Sequence, residues 1–143
     1  MDKILVPVDG SEHGCKAVNW AATLAAELGA QMTLLYVHDL PAAEVMGLAS
    51  KSRDEIDAIE EAHARPVFDA AQKCLDGVTL SFGGENRTVI GDPKEEIVGL
   101  AQREGFDHIV IGSRGLSPIS ELLMGSVSEH VMRKAHCPVT VIR

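Results

Sequence analysis

The chain has 143 residues, of which 45% are apolar, 24% charged and only 3% aromatic. That supplies enough apolar surface to offset the ordering entropy and enough length for one core, so disorder is excluded and one domain over residues 1–143 is expected. Thirteen basic against twenty-one acidic side chains give a net charge of −8, which argues against nonspecific binding to nucleic acid or anionic membrane, because such binding rests on counterion displacement by Lys and Arg.

The elements follow in chain order. Lys3 to Val8 is a short apolar run ending in Pro7, Val8, Asp9, Gly10 and Ser11, of the kind that suits a strand covered on both faces. Cys15, Val18, Ala22 and Ala25 then step by three or four and make one helical stripe. Gln31 to His38 is a second strand, followed from Asp39 to Arg53 by a stretch without periodicity, expected to be a long mobile loop. Ile56, Ile59 and His63, then Val67, Ala70 and Cys74, form the next stripe, with Pro66 expected to kink or divide that helix. Between Val78 and Ile90 the strand signal is weaker: Thr79 to Phe82 and Arg87 to Ile90 flank Gly83 and Gly84, which fits one bulged strand or two pieces.

Asp92, Pro93 and Glu95 look like a helix start, continued by Ile97, Leu100 and Ala101. Phe106 to Ile111 is a fourth strand, Val127, Val131 and Ala135 a last helical stripe, and Val139 to Ile142 a last strand. The order β-α-β-α-β-α-β-α-β predicts an α/β fold with a parallel sheet, right-handed crossovers and helices on both faces.

Three cysteines, Cys15, Cys74 and Cys137, are odd in number, widely spaced and never in a CxxC pair. Neither a disulfide framework nor a zinc site is expected, and the usage suits a reducing compartment. The opening apolar run of five residues, Ile4 to Val8, is too short for a secretory segment, and no run reaches the ~18 residues of a membrane span. A cytoplasmic protein is expected.

In doubly wound sheets ligands bind beyond the carboxyl ends of the strands, where the winding direction reverses. The unusual residues gather at such ends: Pro7 to Ser11 after the first strand, and Gly112, Ser113, Arg114 and Gly115 after the fourth. Nine residues later come Gly125, Ser126, Val127, Ser128 and Glu129 at a helix start. Glycines let main-chain N–H groups approach a ligand, and a helix N-terminus adds unpaired donors with about half a positive charge, so the two segments together suit a phosphate cradle. Distant carboxylates are screened over ~8 Å, whereas four or five donors at ~1.5–3 kcal/mol each, less ordering costs, suit a roughly micromolar nucleotide.

Simpler roles exist for each piece. Ser126 and Glu129 form S-x-x-E, which capping alone would explain. Asp9 is either an ordinary turn residue or a carboxylate for ribose hydroxyls or a magnesium ion, and Arg114 either a solvated charge or a cation beside phosphates. The chain lacks GxxxxGKS/T, a GxGxxG after the first strand, and a GxSxG elbow. Its six histidines, His13, His38, His63, His108, His130 and His136, show no ligand spacing and are expected to be structural or at the surface. The five aromatic residues are too few to stack bases or sandwich a flavin, which leaves a flavodoxin-like carrier remote.

Gly112-x-x-Gly115, nine residues, then Gly125-Ser126 resembles the G-2x-G-9x-G-S/T signature of the ATP-binding branch of the universal stress protein family. ILVPVDGSE at the start, Gly29 to His38, Gly91-Asp92-Pro93 with Glu96 and Ile97, DHIVIGSRG and the closing CPVTVIR resemble that family in the same order, over nearly the whole chain. His108 stands where the family more often has an apolar residue, and Asp39 to Arg53 matches no pattern. The resemblance implies a Rossmann-like five-stranded sheet ordered 3-2-1-4-5 and bound ATP. Pro7, Val8 and Asp9 would line the adenosine end, and Val37 would meet the adenine. Gly112, Arg114, Gly115, Gly125, Ser126, Val127 and Ser128 would hold ribose and phosphates.

The last strand would be an apolar edge, and a homodimer pairing two copies of Val139 to Ile142 would cover it. The expectation is an ATP-binding regulator, with turnover slow or absent because no residue is evident to activate water. Two alternatives keep the fold: a slow ATPase with magnesium on Asp9, and an interaction module whose glycine loop is only structural.

Overall fold

A computed structural model describes residues 1–75, 77–78, 84–117 and 123–143. Strand β1 (Lys3–Pro7) lies at the centre, with Ile4, Leu5 and Val6 wholly buried. Burial of each such side chain contributes about 1.5–3 kcal/mol. Strand β2 (Gln31–His38) pairs with it in parallel from Lys3↔Gln31 to Pro7↔Leu35, and β3 (Gly84–Ile90) pairs in parallel with β2. On the other side β4 (His108–Gly112) pairs with β1, and β5 (Val139–Ile142) with β4, both in parallel. The sheet order is therefore β3-β2-β1-β4-β5, the order expected.

Side chains alternate between the two faces, as the pleat requires. Ile4, Val6, Met32, Leu34 and Val110 meet the small residues Ala17, Ala21, Ala22 and Ala25 of helix α1 (Glu12–Leu28) and Ala71 of α3 (Arg53–Lys73). Leu5, Leu35, Ile109 and Ile111 meet Ile97, Leu100 and Ala101 of α4 (Pro93–Arg103) and Val131 of α5 (Ser126–Lys134). Ser11 caps α1 by accepting from Gly14 N, Ser52 caps α3 in a reciprocal capping box with Glu55, and Asp92 caps α4 through Lys94 N, as expected for that helix start.

Several expectations are corrected. Asp39 to Arg53 is not one irregular loop: it holds a short helix, α2 (Ala42–Leu48), and α3 begins at Arg53. Since α2 buries none of its residues, it left no apolar stripe in the sequence. Helix α3 runs unbroken through Pro66, which sits on the exposed side together with Ala62, so the carbonyl one turn earlier faces water. Among the described residues the third strand spans Gly84–Ile90; the expected segment Thr79 to Phe82 and Gly83 lie outside them.

The cysteine expectation also fails, because Cys15 and Cys74 form a disulfide across a sequence separation of 59. Right-handed crossovers put α1 and α3 on the same side of the sheet, and this pairing cannot be read from spacing alone. With a bridge present, cysteine usage no longer argues for a reducing compartment. Cys137 is free and half-buried. His108 is buried and hydrogen-bonded at 2.7 Å to the Thr140 hydroxyl, which lets a polar ring replace an apolar residue between β4 and β5. Among the described residues no helix is long and apolar enough to cross a membrane.

Candidate functional site

At the carboxyl ends of β1, β2 and β4 the sheet opens into a cavity of ≈ 360 Å³. Strands β2 and β4 leave β1 on opposite sides, so the segments that follow them diverge and leave a crevice between. All eleven residues singled out in the sequence line it: Pro7, Val8, Asp9, Val37, Gly112, Arg114, Gly115, Gly125, Ser126, Val127 and Ser128. The cavity has two characters. Leu35, Val37, Ile97 and Ile111 form an apolar wall, while Asp9, Arg114, Ser117 and the start of α5 form a polar one.

The start of α5 is bare. Gly125, not Ser126, is its N-cap, with no side chain to accept from the first turn. The expected S-x-x-E box therefore does not form, and Glu129 pairs instead with Arg133 on the outer face. The first N–H groups of a helix lack carbonyl partners one turn back, so the amides of Ser126, Val127 and Ser128 remain available. Gly125 is held by its own N–H donating to Ser113 O at 2.7 Å, and the Ser128 hydroxyl donates to Gly112 O at 2.6 Å. These two bonds seat the helix end against the end of β4.

Gly112 is needed for close approach. A Cβ there would lie 2.7 Å from the His13 carbonyl carbon and 2.9 Å from Gly14 N, both backbone atoms of α1. At Gly115 a Cβ would lie 2.6 Å from Asp9 Oδ2. Asp9 is itself oriented, its Oδ1 accepting from Ser11 N at 2.9 Å, so Oδ2 is the oxygen turned toward Gly115.

Arg114 is oriented by a chain of polar contacts. Its guanidinium donates to His13 Nε2 at 2.9 Å, which makes Nε2 the acceptor and leaves the hydrogen on Nδ1, 2.8 Å from Ser113 Oγ. His38, next to Val37, faces the α3 side, its ring 4.3 Å from that of exposed His63. Burial, helped by His63, holds His38 below its ordinary value of 6.5. Among the described residues no group of three His, Cys, Asp or Glu is arranged to hold a metal ion.

A profile of the universal stress protein family matches residues 1–143. The chain belongs to that family. It is 32% identical to Universal stress protein MJ0531 of Methanocaldococcus jannaschii over 99% of this chain and 81% of that one. The solved structure of universal stress protein UspA from Lactobacillus plantarum superposes with a TM-score of 0.79 at 29% identity, covering 99% of this chain and 97% of that one. Two further universal stress protein structures carry adenine nucleotides. One, in complex with cAMP, has a TM-score of 0.69 at 26% identity, covering 99% of this chain and 97% of that one. The other, from Archaeoglobus fulgidus in complex with dAMP, has a TM-score of 0.68 at 25% identity, covering 100% and 98%.

Sequence reasoning missed parts of this universal stress protein's cavity. Gly14 and Asp39 line it but stood outside any motif, Ser11 and Pro93 stood in quoted motifs without a binding role, and His13 was set aside with the other histidines. The spacing of Ser11 and Gly14 at a helix start could have placed both beside Asp9. No local signal joins His13 to Ser113 and Arg114, which lie 100 and 101 residues away.

Proposed function

We propose that this universal stress protein binds an adenine nucleotide, ATP, in the cavity at the carboxyl ends of its strands, as a cytoplasmic regulator whose occupancy biases conformation or choice of partner. One observation carries the reading: a single cavity joins an apolar wall, fit for a flat base, to an uncapped helix end beside an oriented arginine. Val37, Pro7 and Val8 would flank the adenosine, Asp9 the ribose, and the amides from Gly112 to Gly115 and Gly125 to Ser128 the phosphates with Arg114. The family's complexes with cAMP and dAMP support an adenine nucleotide as the class of ligand.

Magnesium ordinarily takes one or two carboxylates plus phosphate oxygens and water. Asp9 Oδ2 fits as that single carboxylate, so the ion would come with the nucleotide and neutralise its phosphate charge. Hydrolysis is slow or absent on this reading, since the groups around the phosphates bind rather than activate water. The apolar edge strand β5 pairs with a second copy to make a homodimer.

Calorimetric titration of ATP tests the reading. Roughly micromolar binding is expected for four or five charge-assisted bonds, lost in Gly115→Val with the fold retained. Absence of ATP binding by a folded wild type overturns it. Comparing ATP binding with phosphate release in wild type and Asp9→Ala separates a binder from an ATPase: release at many turnovers per second by the wild type refutes the regulatory reading.

A further inference from the structure

The disulfide lies at the meeting of two cavities beside the site above, the inner one sharing Val8, Ser11 and Gly14 with it. On the outer side Cys15 and Cys74, both half-buried, line an open groove of ≈ 780 Å³ with Lys16, Trp20, Lys73 and Ile142. On the inner side the same cysteines line a smaller space of ≈ 240 Å³ together with Val8, Gly10, Ser11 and Val67. The Val8–Ser11 loop therefore has the ATP cavity on one side and the bridge on the other. Cys15 N–H donates to Ser11 O at 3.0 Å, and Ser11 N–H holds Asp9, so the bridged residue is two hydrogen bonds from the carboxylate that lines the site.

The other half of the bridge is on a loosely held element. Of the 21 residues of α3 only Ala64 and Ala71 are buried, and Cys74 caps its end. Beyond the bridge, that end is held by the Asn19 side chain donating to Cys74 O at 3.1 Å and by Val67, Phe68 and Leu75, half-buried against the core. A segment with so little buried surface separates readily once a covalent tie is cut.

We propose that Cys15 and Cys74 are a redox-active pair, opened by a small anionic thiol docking in the Trp20 groove, and that the bridge state sets how tightly the Val8–Ser11 loop holds ATP. The groove carries Lys16 and Lys73 against one carboxylate, Glu27, and Lys73 adjoins Cys74 in the chain, which gives an anionic reductant an attractor beside the bridge in a protein that is otherwise strongly acidic. Lys16 also contacts Glu12 at 3.2 Å on the exposed surface, which leaves Lys73 as the principal attractor. The same cations favour the thiolate that leaves. On the cytoplasmic reading proposed above, such a bridge is of the transient or redox-sensing kind. The coupling half of the proposal rests on the ATP reading of the cavity.

The exchange balances without any group beyond the thiol. One thiolate bonds to a cysteine sulfur as the S–S bond breaks, and the electron pair leaves on the other cysteine. A second thiol displaces the first as a small disulfide, and the two protons end on Cys15 and Cys74. Two thiols are oxidised and the bridge gains two electrons; a small-molecule disulfide runs the reverse.

The experiment equilibrates the full chain in glutathione buffers of varied ratio, traps free thiols by alkylation and counts them by mass spectrometry. Folded wild type is expected to go from one alkylated cysteine to three as the buffer becomes reducing, and Lys73→Gln to react more slowly with glutathione but equally fast with neutral mercaptoethanol. A bridge that yields only after denaturation overturns the exchange, and equal slowing with both thiols overturns the anionic docking. ATP affinity is expected to fall about fivefold or more on reduction, and by reciprocity ATP shifts the half-reducing ratio by the same factor. The double variant Cys15→Ser, Cys74→Ser is expected to bind like reduced wild type. Equal ATP affinity in both redox states overturns the coupling. If ATP binds neither state, the nucleotide reading fails alone, and amide exchange at Ser11–Cys15 decides whether the bridge acts on the loop: equal rates in both states overturn it.

Discussion

Substituting alanine at Gly112 and at Gly115 separates packing from binding at neighbouring positions. At Gly112 the new methyl would meet the α1 backbone at 2.7 and 2.9 Å, whereas ordinary contact begins near 3.4 Å. Neither atom rotates away, so β4 and α1 must part by about 0.5–0.7 Å along the seam where Val18 and Val110 are wholly buried. Overpacking of that kind costs about 1–3 kcal/mol. At ~2 kcal/mol the Tm of a 143-residue chain falls by roughly 6 °C. At Gly115 the methyl meets only Asp9 Oδ2, the end of a side chain that swings by rotation about its own bonds. Stability then falls by about 1 kcal/mol at most, as the Ser11 N–H bond to Asp9 weakens. ATP affinity falls about tenfold or more, because the carboxylate leaves its position and the methyl enters the cavity. Thermal unfolding by circular dichroism and titration calorimetry on both variants read the two effects. A Gly112→Ala protein that melts with wild type, or a Gly115→Ala protein that melts below Gly112→Ala, refutes the reasoning.

Other predictions concern stability and assembly. Ser128→Ala removes the buried donor to Gly112 O and is expected to lower stability by about 1–3 kcal/mol, read as a shift in the urea midpoint. Burial holds both His38 and His108 below 6.5, so the unfolded chain takes up their protons first. Their contribution to stability is then complete above pH 6.5 and declines as the pH falls below it, and His38→Gln flattens part of that slope in denaturant titrations at pH 7.5 and 5.5. Sedimentation at micromolar concentration is expected to give twice the chain mass of 15.3 kDa, and a monomer counts against pairing through β5.

The central strands β1, β2 and β4 were legible because they are short, apolar and buried on both faces, whereas β3 buries no residue and gave a weaker signal; the sheet order followed from the family resemblance. The glycine segments were legible because a required close approach leaves a mark in residue type, as at Gly112. What escaped had no local mark. Helix α2 buries nothing, so its composition carries no period. Pro66 reads as a breaker wherever it stands, and only its exposed position shows why α3 tolerates it. The Cys15–Cys74 bridge and the contacts of His13 join residues 59 and 100 or more apart, which depend on crossover handedness and helix placement rather than on neighbours in the chain.

The bare end of α5 ties an occupant to the rim of the molecule. Nine residues at 1.5 Å each carry the helix only about 13 Å before the chain turns into β5, the outermost strand. Beside that rod the Ser113 N–H donates directly to Ile142 O at 2.7 Å, so both segments offered to a phosphate, the glycine turn and the helix end, are anchored to the same outer strand.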